Sequence, residues 1–366
     1  MNDPMIVLAL QGGGALGAYQ AGVYEGLFAH HLRPDWVLGT SIGAFNGAII
    51  AGNPPEKRLE RLHAFWEGLA RDELPALPAF GELLRPWVNS AAMMDILLRG
   101  VPGFFTPRAG MLLDPNAHTR PRDASFYDTS PLAATLQSLI DFDYLNAAEV
   151  RYTCGAVKIA GGEQVMFDNT RDTLTVRHIM ASGALPPGFP PVEIDGEAYW
   201  DGGVYSNTPI DVVLEDDERR DMLCFAVDLW QPSAHVPESI TEVLTQEKSI
   251  RFASRSKEHL ADHELIQNLR HAVRLLSEHL TPAAKTIGEV REAADLGCGA
   301  RINVVRLVMK AGADDDYLRD VDFRRDTLRS RWAGGLADCG RVCRLRSWLR
   351  PLPPGIGLAV HELPAA

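Results

Sequence analysis

The sequence lacks any apolar run that approaches the length of a membrane-spanning helix, which is about 20 residues. Its first residues, MNDPMIVLALQGGG, also lack the basic lead and the long apolar segment of a signal peptide. We therefore expect a cytoplasmic protein, and peripheral contact with a membrane surface stays open.

Cysteine and basic charge are scarce as well. Cysteine occurs five times without C-x-x-C spacing, which argues against a disulfide framework or a zinc site and favours reduced thiols. The chain has 36 lysines and arginines against 48 aspartates and glutamates, a formal net charge of -12. Such a charge gives no general attraction for nucleic acid, so we expect no nucleic-acid partner.

What the sequence does contain is an alternation of short apolar strands and helices. Residues 5–10, MIVLAL, are typical of a buried parallel strand, and the pattern from Ala15 to Leu32 predicts a helix. A second strand at 36–40 leads directly into a small-residue helix, and this order predicts an α/β sheet with helices on both faces. A hairpin around Gly161-Gly162 and a strand at 222–230 follow.

The chain changes character near Pro232, which predicts two regions, 1–232 and 233–366. Within the first, residues 71–128 are weakly periodic and rich in Pro, Met and Phe, so they form either a mobile cap over an apolar site or an ordinary insertion. The second is mainly helical and contains an apolar stripe, typical of a face packed on the core and less often of a dimer seam. The stripe comprises Ile266, Leu269, Val273, Leu276 and Leu280.

Residues 319–350 carry nine arginines and four aspartates in an otherwise acidic protein. The segment ends in RVCRLRSWLR. A solvated helix face is the favoured interpretation, and contact with anionic lipid head groups is the alternative.

The most informative short segment is Gly39-Thr40-Ser41-Ile42-Gly43, a G-x-S-x-G between a predicted strand and a predicted helix. A serine nucleophile needs a sharp turn that lifts its hydroxyl above the sheet, and flanking glycines let the backbone cross itself. The N-terminus of the following helix favours negative charge that develops there. Ser41 is therefore the candidate nucleophile.

The first strand ends in a glycine loop, in which Gly12, Gly14 and Gly17 match the G-x-G-x-x-G of dinucleotide-binding sites. Such a site needs an acidic residue at the end of the second strand to bind the ribose, and Ser41 occupies that strand end instead. We therefore expect no dinucleotide cofactor. The alternative is that consecutive glycine amides stabilise an oxyanion above the serine.

Asp201 is the candidate base. It follows a short strand in Asp201-Gly202-Gly203, where the glycines allow a tight turn. Burial beside a serine hydroxyl raises the basicity of an aspartate. Because Asp-Gly-Gly alone is an ordinary turn, the two motifs that precede it in the chain are what favour the catalytic interpretation.

Histidines offer two competing interpretations. Six histidines follow Asp201, but none lies in a glycine-flanked loop after an apolar strand, so no residue marks a Ser-His-Asp triad. His259 and His263 have i, i+4 spacing without the glutamate of H-E-x-x-H, which favours a surface face over a metal site. We therefore expect neither a metal nor a catalytic histidine.

Together, QGGGALG, GTSIG and DGG resemble the motif set of the patatin-like phospholipases, and ASGALPPGFPPV resembles the family's approach to the last motif. The resemblance covers about residues 5–230. It implies a patatin-like three-layer α/β/α sandwich with a mainly parallel central sheet, followed by a helical C-terminal extension like that of a bacterial subgroup. Leu16 stands where many members carry Lys or Arg, so we expect this position to affect head-group selectivity.

The resemblance also implies a reaction, the hydrolysis of fatty-acyl esters by a phospholipase A or lysophospholipase-like enzyme without any cofactor. In this family pattern Ser41 is the nucleophile, Asp201 is its proton acceptor, and Gly12, Gly13 and Gly14 supply the oxyanion hole. A general carboxylesterase or an acyltransferase uses the same residues. A non-catalytic lipid-binding or regulatory protein on the same fold is the remaining alternative.

Overall fold

The secondary structure comes from a computed structural model that describes residues 3–72, 94–114, 116, 118–208, 210–216, 219–312, 317–353 and 355–363. The strands are β1 (Met5–Leu10), β2 (Trp36–Thr40), β3 (Thr106–Pro107), β4 (Tyr127–Asp128), β5 (Arg151–Lys158), β6 (Gln164–Asp168), β7 (Val192–Ile194), β8 (Glu197–Asp201), β9 (Met222–Asp228), β10 (Ile302–Val308) and β11 (Leu358–Glu362). The helices are α1 (Ala18–Ala29), α2 (Ile42–Ala51), α3 (Pro55–Leu69), α4 (94–99), α5 (Ala109–Leu113), α6 (Ser130–Leu139), α7 (Phe142–Asn146), α8 (Val176–Ser182), α9 (Ile210–Leu214), α10 (Ile240–Glu278), α11 (Pro282–Lys285), α12 (Gly288–Asp295) and α13 (Arg325–Leu345).

Within the described ranges, nine strands form one sheet in the order β11-β10-β9-β1-β2-β5-β8-β7, with β6 paired to β5. Neighbours from β11 to β5 are parallel, whereas β6, β7 and β8 pair antiparallel. Strands β2 and β9 are buried along their whole length, which accounts for their continuous apolar sequences. The predicted mainly parallel α/β fold is confirmed.

The sheet separates two apolar layers, because successive residues of a strand point to opposite faces. On β1, Leu8 and Leu10 belong to the larger core, which also contains residues of α1, α2 and α13. Val7 and Ala9 belong to the smaller core, together with residues of α9 and α10. Helices therefore cover both faces, as a three-layer sandwich requires.

The C-terminal region is mainly helical, as predicted, but it also adds β10 and β11 to the edge of the sheet. These two parallel strands were not predicted. Helix α13 packs along α1, where Gly335 of α13 contacts the backbone of Tyr19. The region after residue 232 thus shares the core of the first region, and the boundary itself stays a prediction.

The prediction that the apolar stripe of α10 packs on the core is wrong, because Leu269 is 57% exposed and Leu276 is 69% exposed. The helix instead turns polar side chains inward, where they satisfy backbone groups that burial would otherwise leave unpaired. Gln267 donates to the Leu214 carbonyl at 3.0 Å, and Asn268 accepts from the Gly357 amide at 2.8 Å.

The arginine-rich segment is not the fully solvated face that its charge favours. On α13, Arg331 and Cys339 are buried against the rest of the protein. Acidic neighbours pair with other guanidinium groups, such as Asp322 with Arg324 at 2.7 Å. In the part of the chain that the structure describes, no helix combines the length and apolarity needed to cross a membrane.

Candidate active site

Ser41 lies in a sharp turn between β2 and α2, with φ 56° and ψ -125°. This left-handed conformation is uncommon for a residue with a side chain and is typical of strained functional turns. A Cβ on Gly39 would lie 2.3 Å from the Gly43 carbonyl, and one on Gly43 would lie 2.2 Å from the Leu10 oxygen. The turn therefore requires both glycines, and it holds the Ser41 amide 3.1 Å from the Ser182 hydroxyl.

Strand pairing brings Asp201 next to the serine. Thr40, the last residue of β2, pairs with Gly155 of β5. Asp201, the last residue of β8, pairs with the next residue of β5, Ala156. Strands β2 and β8 pair with the same edge of β5, one after the other along its length. Their ends therefore meet, and the side chains of Ser41 and Asp201 become neighbours.

The Asp201 carboxyl is 1% exposed. Burial raises its pKa to about 7, and hydrogen bonds from the Ser41 hydroxyl and the Gly203 amide oppose that rise. The Gly203 amide lies 2.7 Å from Oδ1 of Asp201. A carboxylate with this pKa is a far better proton acceptor at neutral pH than an exposed aspartate.

The glycine loop follows β1 and faces the same turn. The Gly12 amide donates to the Asn207 carbonyl at 3.1 Å, so its partner differs from the oxyanion that the sequence analysis assigned to it. The amides of Gly13 and Gly14 donate to no acceptor among the described residues. Gly14 has φ +55°, and a Cβ there would lie 2.2 Å from the Asp320 carbonyl oxygen.

The remaining motif glycines allow close packing around Ser41, Asp201 and the glycine loop. Gly17 ends the 3₁₀ turn Gly14–Gly17 and packs on Ile42. A Cβ on Gly202 would lie 2.5 Å from the Gly155 oxygen. Gly203 lies against the Asp201 carboxyl. All motif residues that the sequence analysis singled out therefore lie at one end of the parallel strands.

A buried polar network behind the glycine loop was not predicted. Gln20 donates to the Gln11 carbonyl at 2.6 Å, and Asn46 donates to the Gly17 carbonyl at 2.9 Å. Trp66 donates to the Asn46 side chain at 3.0 Å. The available signal was the presence of uncharged polar residues inside strongly apolar segments, since such residues are buried only with partners.

Two further side chains hold the loop from the other side. Asn207 and Trp230 both donate to the Gly12 carbonyl, at 2.9 and 2.8 Å. Asn207 lies four residues after Gly203 of the DGG motif, and this position in the sequence could have marked it as a residue of the site. Trp230 lies beyond the end of β9 and had no signal apart from its chain position.

An apolar cavity of about 240 Å³ opens beside Ser41 and Asp201. Its aromatic lining comprises Phe45, Phe104, Phe105, Tyr127, Phe189, Trp230, Phe252 and Phe323. Leu16 does not line the cavity and is fully buried, so it would not contact a head group directly, and its effect on selectivity stays a prediction. Residues 71–128 supply three of the rings, although 73–93, 115 and 117 lie outside the described residues and the cap stays a prediction.

Histidine is absent from the lining of this cavity, as far as the structure describes the chain. His263 lies 3.6 Å from Asp211, and the side chain of His259 is outside the described residues. The described residues contain no group of three or more side chains that could hold a metal ion. The arrangement beside the cavity is that of a serine and an aspartate.

Comparisons with known proteins agree with these motifs. Residues 8–214 match the family described as patatin-like phospholipase, and residues 250–355 match one described as patatin phospholipase. The lysophospholipase NTE1 of Candida glabrata is 25% identical over 237 residues, which is 65% of this chain and 11% of that protein. This chain therefore spans a small part of the length of that relative.

Two solved structures are also similar. VipD from Legionella pneumophila matches with a TM-score of 0.39 and 12% identity, covering 94% of this chain and 67% of that one. A structure of SpcU in complex with ExoU from Pseudomonas aeruginosa matches with a TM-score of 0.28 and 19% identity, covering 71% and 52%.

The first family match extends over more than half of the sequence and contains all three motifs of the site. Since the fold, the order of the motifs and this match agree, the chain belongs to the patatin-like phospholipase family.

Proposed function

We propose that the protein is a serine lipid acyl hydrolase, a phospholipase A or lysophospholipase-like esterase with a Ser-Asp dyad. The observation that carries the proposal is the position of Ser41, in the strained turn after β2, beside the buried Asp201 carboxyl, whose pKa is about 7. A nucleophile in a strained turn beside a base poised near neutral pH suits acyl transfer. The name of the NTE1 relative, a lysophospholipase, supports the same substrate class.

In the proposed reaction, Asp201 accepts the Ser41 proton while Oγ attacks the ester carbonyl carbon. The negative oxygen of the tetrahedral intermediate lies against the amides of Gly13 and Gly14, because the Gly12 amide is already bonded to Asn207. The intermediate collapses as the ester C–O bond breaks, and Asp201 returns the proton to the leaving alcohol. Water that loses a proton to Asp201 then attacks the acyl-serine, and as the acyl C–O bond breaks Asp201 returns that proton to Oγ, which releases the fatty acid and restores Ser41.

The cavity supports a fatty-acyl substrate. Its volume of about 240 Å³ is many times the roughly 10–15 Å³ that a single water needs, so a short acyl chain has room. Each methylene that leaves water contributes about 0.8 kcal/mol to binding. Contact with this lining therefore favours the binding of an apolar chain, whereas a charged acyl group would lose its hydration there.

Apolar side chains near the cavity support contact with a lipid surface. Leu185 lines the cavity and is 40% exposed, and Val204 and Tyr205, next to Gly203, are about half exposed. We propose that these residues meet the surface of a membrane or micelle, where burial of apolar area favours peripheral binding.

The test combines a fluorophosphonate probe with hydrolysis of p-nitrophenyl butyrate and lysophosphatidylcholine. We expect labelling of the wild type and its loss in Ser41→Ala, with hydrolysis reduced at least about 10³-fold in Ser41→Ala and Asp201→Asn. Ser138→Ala and Asp143→Asn, at exposed positions of α6 and α7, are the matched controls and should retain activity.

Four outcomes test the proposal against its alternatives. No labelling and no hydrolysis by the wild type would favour a lipid-binding protein. Hydrolysis of p-nitrophenyl butyrate but not of lysophosphatidylcholine would favour a general carboxylesterase. Transfer of the acyl group to an added alcohol would favour an acyltransferase. Loss of activity after alanine replacement of any one of the later histidines would contradict the dyad.

A further inference from the structure

We propose that the C-terminal region positions the oxyanion loop, with Asp320 as the residue that contacts the loop and Lys248 as the residue that holds Asp320. The inference rests on the proposed role of the Gly13 and Gly14 amides. Residues after 232 thereby take part in the reaction. Lys248 lies on α10 and Asp320 lies on the turn Arg319–Val321, and both elements pack against the loop.

The contact is made by the 3₁₀ turn Arg319–Val321, which lies against the 3₁₀ turn Gly14–Gly17. The Asp320 carbonyl oxygen occupies the space that a Cβ on Gly14 would need, at 2.2 Å. Asp320 and Val321 also border the cavity. Movement of this turn would therefore displace Gly14 and change the direction of the neighbouring amides.

Lys248 of α10 holds the turn Arg319–Val321 in place through polar contacts. Its ammonium lies 2.6 Å from the Asp320 carboxylate and donates to the Tyr317 carbonyl at 3.1 Å. It also lies 4.6 Å from the centre of the Tyr317 ring. The side chains of the pair are only 16% and 17% exposed, so water and salt screen their attraction weakly.

A second set of contacts reaches the start of the loop. Trp230, which donates to the Gly12 carbonyl, packs against Phe252 of α10 with ring centres 4.9 Å apart and a tilt of 33° between the rings. The Arg319 guanidinium lies 4.9 Å from the centre of the Trp230 ring. The Gln11 side chain donates to the Phe252 carbonyl at 3.2 Å. Elements after residue 232 thus restrain both ends of the loop.

The expected consequence lies in the transition state. Oxyanion donors act only when they are placed close to the oxygen that becomes negative, and a misplacement of about 1 Å costs about 100-fold in rate. Lys248 contacts Asp320 and lies 5.6 Å from the centre of the Trp230 ring, but it does not itself line the cavity and so would not touch an acyl chain directly. Its removal should therefore lower kcat and leave KM nearly unchanged.

The experiment uses the full chain and the variants Lys248→Met, Lys248→Arg and Asp320→Asn. The matched control is Arg251→Met, on the same helix, where an exposed guanidinium pairs with Glu247. The measurements are kcat and KM on p-nitrophenyl butyrate, the rate of fluorophosphonate labelling, the Tm, and hydrogen exchange of the peptide that covers residues 11–17.

We expect Lys248→Met and Asp320→Asn to lower kcat and the labelling rate by about 10-fold to 100-fold, with KM within about twofold of wild type. The arginine variant should recover most of the rate, and exchange of residues 11–17 should accelerate in the two impaired variants only. A wild-type kcat in Lys248→Met, an effect on KM alone, or an equal loss in Arg251→Met would overturn the inference.

Hydrogen exchange separates this inference from the proposed function, because it requires no activity. An inactive and unlabelled wild type would refute the proposed function, and the exchange comparison would still decide whether Lys248 restrains the loop. Unchanged exchange in both variants would overturn the inference even if the enzyme is active.

Discussion

Replacement of Asp201 by asparagine should stabilise the folded protein while it removes the proposed activity. Asparagine has the same shape and keeps an oxygen for the Gly203 amide, which donates to Asp201 at 2.7 Å. What it removes is a carboxyl group whose burial raises its pKa to about 7. The charge that the proposed base needs therefore opposes folding, a conflict that is common at active sites.

The magnitude follows from the difference between the two pKa values of Asp201. The ordinary value is 3.8 and the folded value is about 7, a difference that corresponds to about 4 kcal/mol. Because folding raises the pKa, the wild type loses stability as the pH rises from 3.8 towards 7. The gain of Asp201→Asn over wild type should be small at pH 4, about 1–2 kcal/mol at pH 5 and about 4 kcal/mol at pH 8.

Urea unfolding of both proteins at pH 5, 6.5 and 8 measures this gain directly, since other titrating groups cancel in the difference. Asp143→Asn, at an exposed position of α7, is the control and should change the free energy of unfolding by less than about 0.5 kcal/mol. A gain that does not depend on pH, or a variant less stable than wild type at pH 8, would refute the argument from burial.

Two other predictions concern the proposed activity. Since the proposed base, Asp201, has a pKa of about 7, kcat/KM should fall about tenfold for each pH unit below 7, and a flat profile from pH 5 to 8 on p-nitrophenyl butyrate would contradict this. Phe323 is 1% exposed and lies 5.6 Å from Phe104 between ring centres, so Phe323→Ala should enlarge the cavity by about three methylene-sized groups and lower stability by about 3–5 kcal/mol. A series of p-nitrophenyl esters should then show a longer preferred acyl chain, with Phe323→Leu as the milder control; an unchanged preference would argue against acyl binding at this ring.

Much of the first region was predictable because several local signals agree there. The buried runs at β1, β2 and β9 have the apolar continuity of parallel strands, and a G-x-S-x-G between a strand and a helix has few other conformations available. Local propensity and tertiary environment favour the same structure in such segments, so the fold class follows from them.

Prediction failed where the deciding contacts are distant in the chain. The stripe around Leu269 marks one face of α10 correctly, but spacing alone does not say whether that face meets a neighbour. INVVRLV of β10 is as long as β9 and was a usable strand signal that was missed, but its place in the sheet depends on pairing with β9, and that of β11 on pairing with β10. The bond between the Gly12 amide and the Asn207 carbonyl was unforeseen for the same reason, and the part that Gly12 plays in the oxyanion hole stays a prediction.

The sequence by itself determined the chemistry that the site can offer: a serine in a turn that only glycine neighbours permit, an aspartate in a second turn, and a loop of consecutive amides. These features follow from backbone sterics within a few residues. Only the tertiary structure decided that β5 brings Ser41 and Asp201 together, that burial gives the carboxyl a pKa of about 7, and that Asp320 packs on Gly14. Distances, dielectric surroundings and contacts between remote segments arise from packing, and no local pattern encodes them.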